Sequence, residues 1–185
     1  LPHDPQYQTG WHSVFYDAVA SPDGSYVYAA TWNGRPWLMR FRMNEGDWPE
    51  VESLGAVTPP HDPKVPEDYF IDHCGGLTFA DDGMLYYVAS RWEGDAAPTM
   101  RDLPRSKKNP AEADRNVVQG VVWRMDPETL VREEVAVLER PDACAQYVSR
   151  GAVGRDGDLF FGHVGPRPVG LFRVQMPDGR KNPDR

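Results

Sequence analysis

The sequence has two cysteines, no apolar run near the length of a membrane-crossing helix, and no basic excess. Each shortage removes a class of explanation. A spanning helix needs about 20 consecutive apolar residues, so no membrane partner is expected. A net charge of −8 over 185 residues denies the chain the basic face that phosphate contact requires, so no nucleic-acid partner is expected. A Gly-rich phosphate loop, a Gly-x-Ser-x-Gly elbow and a His-Glu-x-x-His pair are all missing, which removes the chemistries that depend on them. No stretch carries the period of a long amphipathic helix, and Ala111 to Arg115 supports a short helical turn at most. Neither a signal peptide nor an initiator Met opens the chain, so a processed product or a piece of a longer protein is expected.

What is present is repetition. The stretch Gly75-Gly76-Leu77-Thr78-Phe79-Ala80-Asp81-Asp82-Gly83-Met84-Leu85-Tyr86-Tyr87-Val88 reads as two apolar strands joined by an Asp-Gly hairpin turn. The same unit occurs upstream around Ser21-Pro22-Asp23-Gly24 and downstream around Gly154-Arg155-Asp156-Gly157. Hairpin signals recurring at tens of residues point to a radial or linear β array. The turns need φ > 0 and nothing more, so they carry no chemistry of their own.

Strand-forming runs follow in order. Tyr16 to Ala20, Ser25 to Trp32, Trp37 to Met43 and Val51 to Val57 make one four-stranded meander. Gly75 to Ala80, Met84 to Trp92, Val117 to Met125 and Leu130 to Leu138 make a second, and Arg150 to Gly154, Asp158 to Val164 and Val169 to Met176 an incomplete third. The expected fold is therefore all-β, a partial β-propeller of about three four-stranded antiparallel blades with the last incomplete. Its divisions are an entry segment 1–15, a blade 16–57, a Pro-rich connector 58–72, a blade 73–139 carrying an insertion 93–116, and the incomplete blade 140–185. Propellers close with about 4–8 blades, so the expected partners include the remaining blades of a parent chain or a second copy.

In such an array the turns following each first strand lie on one face, and the polar residues gather on the other. That rim collects His12 and His73 before first strands, Trp32, Asn33 and Arg35 at one strand-end turn, and Arg91 and Trp92 at the next. Tyr147, Arg150, His163 and Arg167 continue it in the third repeat, and the insertion, with five basic residues, is expected to cover it. Flat Trp and Tyr faces suit sugar rings, and Arg suits carboxylate or sulfate. Cys74 and Cys144 precede the first strands of neighbouring repeats; buried thiols, a disulfide or a shared metal site are all open. A metal alternative takes His73, Cys74, Cys144 and His163 as ligands of a divalent ion such as Zn.

The two hairpins Ser21-Pro22-Asp23-Gly24-Ser25-Tyr26-Val27-Tyr28 and Gly75 to Tyr86 resemble the β-propeller repeat of many bacterial extracellular proteins, which implies a secreted or periplasmic location. The grouping of His12, His73, Tyr147, Arg150 and His163 on an Arg- and Trp-rich rim resembles the propeller polysaccharide lyases, ulvan lyases among them. That resemblance implies β-elimination on a uronate-containing anionic polysaccharide, with His73 or His12 as base, Tyr147 as acid or second base and Arg150 or Arg91 neutralising the carboxylate. Trp32, Asn33, Arg35, Arg91, Trp92, His163 and Arg167 would bind substrate. A glycan- or protein-binding propeller without catalysis and a metal-dependent propeller enzyme are the other readings.

Overall fold

A computed structural model describes residues 14–32, 37–43, 49–57, 74–92, 118–140, 143–144, 148–163 and 170–177. Three antiparallel sheets follow one another along the chain. The first is β1 (Val14–Ala20), β2 (Tyr26–Trp32), β3 (Trp37–Arg42) and β4 (Glu50–Ala56), in that order. The second is β5 (Cys74–Phe79), β6 (Leu85–Trp92), β7 (Val118–Met125) and β8 (Arg132–Val137). After a two-strand ladder of β9 (Glu139–Arg140) with β10 (Ala143–Cys144), which the sequence did not announce, come β11 (Val148–Val153), β12 (Leu159–His163) and β13 (Gly170–Val174). The architecture is the expected partial propeller, with blades of four, four and three strands among the described residues.

The sheets stack face to face, and the middle one is apolar on both sides. Along β6, Leu85, Tyr87 and Ala89 join the layer shared with the first blade, while Tyr86 and Val88 join the layer shared with the third. The first layer adds Tyr28, Ala30 and Leu38 from blade one and Val121, Trp123 and Met125 from β7. Leu159, Phe161, Phe172 and Val174 of blade three close the second. This double burial is why β6 reads as a continuous apolar run rather than an alternating one. Polar ties cross the first joint as well: Arg40 donates to the Pro127 carbonyl at 3.1 Å, Arg132 to the Leu54 carbonyl at 2.6 Å, and the Tyr87 hydroxyl to the Val57 carbonyl at 2.8 Å.

The turns after the first strands carry positive φ at Gly24, Gly83 and Gly157, and their aspartates do not share it. A two-residue type I′ turn would need both residues there, so the loops are longer. Ala80 N–H bonds the Met84 carbonyl and Gly154 N–H the Asp158 carbonyl, but Ser21 N–H bonds the Tyr26 carbonyl, one residue further on. The extra residue in the first loop is held by hydroxyls. Asp23 accepts from both Ser21 and Ser25, and Ser21 Oγ accepts from the Tyr26 N–H. Because strand faces alternate with period two, one added residue moves every later side chain of β2 to the opposite face. Tyr28 therefore corresponds to Tyr86 and Phe160, not to Tyr87 and Phe161. Each of the three stands opposite an arginine of the third strand: Arg40, Arg124 and Arg173.

Candidate functional site

Each innermost strand carries a bulge. One residue is extra between Phe15 and Asp17 of β1, one between Gly75 and Thr78 of β5, and one between Val148 and Arg150 of β11. A bulge sharpens twist and re-aims side chains. All three fall near the residue four before the turn's first residue, which is Asp17 before Ser21, Gly76 before Ala80 and Arg150 before Gly154. Equivalent positions of three blades thereby meet where β5 touches both β1 and β11.

The meeting is close because glycine permits it. A Cβ at Gly75 would overlap the Val148 carbonyl, and one at Gly151 would overlap the Gly76 carbonyl. At this convergence the Asp17 carboxylate, 2% exposed, ties the three strands together. Its Oδ2 accepts from the Leu77 N–H of β5 at 2.8 Å, its Oδ1 accepts from Ala18 N–H at 3.0 Å, and Oδ1 also pairs with Arg150 Nη1 of β11. Arg150 itself is 74% exposed. The result is a guanidinium held at its root by a buried carboxylate and open to solvent beyond it. Tyr16, the extra residue of the β1 bulge, is half-buried beside this pair. Burial first, and the Asp17 charge second, push its phenol up, against a smaller opposing effect of Arg150. It therefore stays a protonated hydrogen-bond donor at neutral pH.

Of the residues singled out in sequence, Arg150 belongs to this convergence. His163 stands at the end of β12 with its side chain buried: it is 2% exposed, with its ring edge-on to Phe172 at 6.0 Å. The expectation that it reaches a polymer is corrected by this burial, since the strand alternation that points Phe161 inward points His163 inward too. Cys74 is buried in the layer between blades one and two, whereas His163 packs on Phe172 in the layer between blades two and three. Those two members of the metal set are thus in different layers, and among the described residues no group of three His, Cys, Asp or Glu side chains is placed to hold an ion. Trp32, Arg91, Trp92 and Cys144 lie in strands with only their backbone described. His12, Asn33, Arg35, His73, Tyr147, Arg167, the connector 58–72 and the insertion 93–116 lie outside the described residues.

Sequence reading missed Asp17, an acid in the middle of an apolar strand. Two signals pointed to it: an unpaired-looking charge at a core position, and Gly75-Gly76, which inside a strand marks a bulge or a close approach.

No family model matches the chain. No curated protein matches it either. Among solved structures, a provisionally named 6-phosphogluconolactonase from Bacteroides uniformis is similar over 92% of this chain at 13% identity, with a TM-score of 0.39. The chain spans about half of that protein, 52% of its length, and a likeness at that TM-score carries no argument about either fold or function.

Proposed function

We propose that this chain supplies the axial, anion-recognising part of a carbohydrate-active propeller, a polysaccharide lyase acting by β-elimination on uronate-containing glycans. The observation that supports it is Arg150: a guanidinium fixed through a buried carboxylate, at the axis where blades converge, with most of its surface open. A carboxylate arriving there meets a pre-oriented donor whose positioning has been met by the fold, the arrangement that stabilises charge developing in a transition state.

In the elimination a base removes the proton at C5 of the uronate, the electron pair forms the C4–C5 double bond, and the C4–O bond breaks as the leaving oxygen takes a proton. Arg150 holds the carboxylate and stabilises the enolate-like charge. The protonated Tyr16 beside it joins Tyr147 as a donor to the leaving oxygen. His73, immediately before β5 in sequence, takes the C5 proton, with His12 the other imidazole for that role. A second reading has one observation in its favour: part of the Arg150 charge is already satisfied by Asp17, which suits a site that binds an anionic glycan without reacting.

The test is ultraviolet detection of the unsaturated uronate on a panel of uronate polymers, with and without chelator, for wild type and Arg150→Lys. Lysis should fall at least tenfold in the variant, because lysine cannot reproduce the fork. Arg150-dependent binding with no unsaturated product selects the binding reading. Absence of both removes the anionic-glycan proposal.

A further inference from the structure

We infer that the outer face of the first blade and the outer face of the third are the two halves of one interface, through which a second copy of this chain docks head to tail. The register carries the argument. In every blade one face presents the aromatic–arginine pair, Tyr28/Arg40, Tyr86/Arg124 and Phe160/Arg173. The opposite face presents Val27 and Phe41 in blade one, Leu85 and Met125 in blade two, Leu159 and Val174 in blade three. Both joints inside the chain bring an arginine-bearing face of one blade against the opposite face of the next.

Among the described residues two faces are left over, and they are of opposite kinds. Blade one turns outward the kind that blades two and three bury: Phe15 and Val51 are 43% and 40% exposed, and Val27 and Phe41 half-buried. Phe15 packs edge-on to Phe41, so the patch is continuous. Blade three turns outward the arginine kind, with Leu171 68% exposed. The arginines record the difference. Side-chain exposure is 18% for Arg40 and 24% for Arg124, each beneath a following blade, and 53% for Arg173, which has none over it among the described residues.

A surface whose equivalents are buried twice in the same molecule specifies its occupant: the arginine face of a blade of this repeat, which a second copy carries. The contact is heterologous, joining unlike patches, so it propagates or closes a ring rather than pairing like with like.

The test is sedimentation of the full 185-residue chain over a concentration series, with Val51→Glu damaging the first-blade face and Leu171→Glu the third. Wild type should self-associate, and each variant alone should weaken association by at least about tenfold, as for a charge placed in a desolvated patch. An equimolar mixture of the two variants should regain a one-to-one pair, since one copy keeps each intact half. Thermal melts of the separate variants establish that both fold. Association lost in Val51→Glu and untouched in Leu171→Glu indicates like-with-like pairing and overturns the inference. A monomer at every concentration, or a mixture that fails to pair, overturns it equally.

Discussion

Replacing Asp17 by alanine tests whether a single carboxylate holds three blades in register. The substitution strips the buried Leu77 N–H of its acceptor at 2.8 Å, and an orphaned buried amide costs about 1–3 kcal/mol. Ala18 is exposed, so its amide finds water and contributes little. The ion pair is asymmetric, with a buried acid and an arginine that is 74% exposed. Solvent screening on the arginine side limits its share to about 0–1 kcal/mol. The expected loss is therefore about 1–4 kcal/mol, read from urea unfolding as a lower midpoint at unchanged slope.

A double-mutant cycle separates the two contributions. In an Arg150→Met background the ion pair is already gone, yet Asp17→Ala still removes the Leu77 acceptor, so it should still cost about 1–3 kcal/mol. A loss below about 0.5 kcal/mol in the wild-type background would refute the reasoning. So would a cost that vanishes once Arg150 is absent, because the carboxylate would then be only a counter-ion.

Two further outcomes follow from local chemistry. Hydrogen bonds from Ser21 first and Ser25 second hold Asp23 down to about 2; being depressed, its stabilising effect is present above the ordinary carboxylate range and fades as pH falls through about 2, so NMR titration of a Ser21→Ala, Ser25→Ala chain should return Asp23 toward 3.8. Burial pushes the Tyr87 phenol well above its ordinary 10.0, so its contribution is complete below pH 10 and is lost above it as the unfolded phenol ionises; Tyr87→Phe should cost about 1–2 kcal/mol at neutral pH by orphaning the Val57 carbonyl, and should reduce the alkaline part of that loss in melts followed above pH 10.

The blades were legible because their signals are local. An Asp-Gly pair between apolar runs forces a hairpin whatever surrounds it, and β2, β6 and β12 begin just after those turns. The buried centre was less legible because its members are distant in sequence and unremarkable singly: Asp17, Leu77 and Arg150 become partners only through three bulges at matching heights. Arg150 was singled out for its charge beside a first strand, but nothing adjacent to it announces that Asp17 is its partner. His163 was misplaced by the same limitation. Its place at a strand end suggested an exposed side chain, and the inward phase of β12 decided otherwise.

The extra residue in the first turn shows how a small local difference sets a large-scale property. Matching the repeats by their Asp-Gly pairs puts Tyr28 beside Tyr87 and makes two like faces meet at the first joint, a two-fold arrangement with no reason to continue. Counting instead from the paired residues, Ser21 with Tyr26 and Ala80 with Met84, puts Tyr28 beside Tyr86, and both joints become the same contact repeated in one direction. A repeated directional contact always leaves unlike faces at its two ends. The apolar patch of Phe15, Phe41 and Val51 and the uncovered Arg173 and Leu171 are thus one consequence of the stacking rule rather than two unrelated surface features. Deleting one residue from the Ser21–Ser25 loop should for that reason do more than shorten a hairpin. It would turn Tyr28 and Ala30 away from the first joint, where both are now buried, and separate blade one from blade two while leaving the second joint intact.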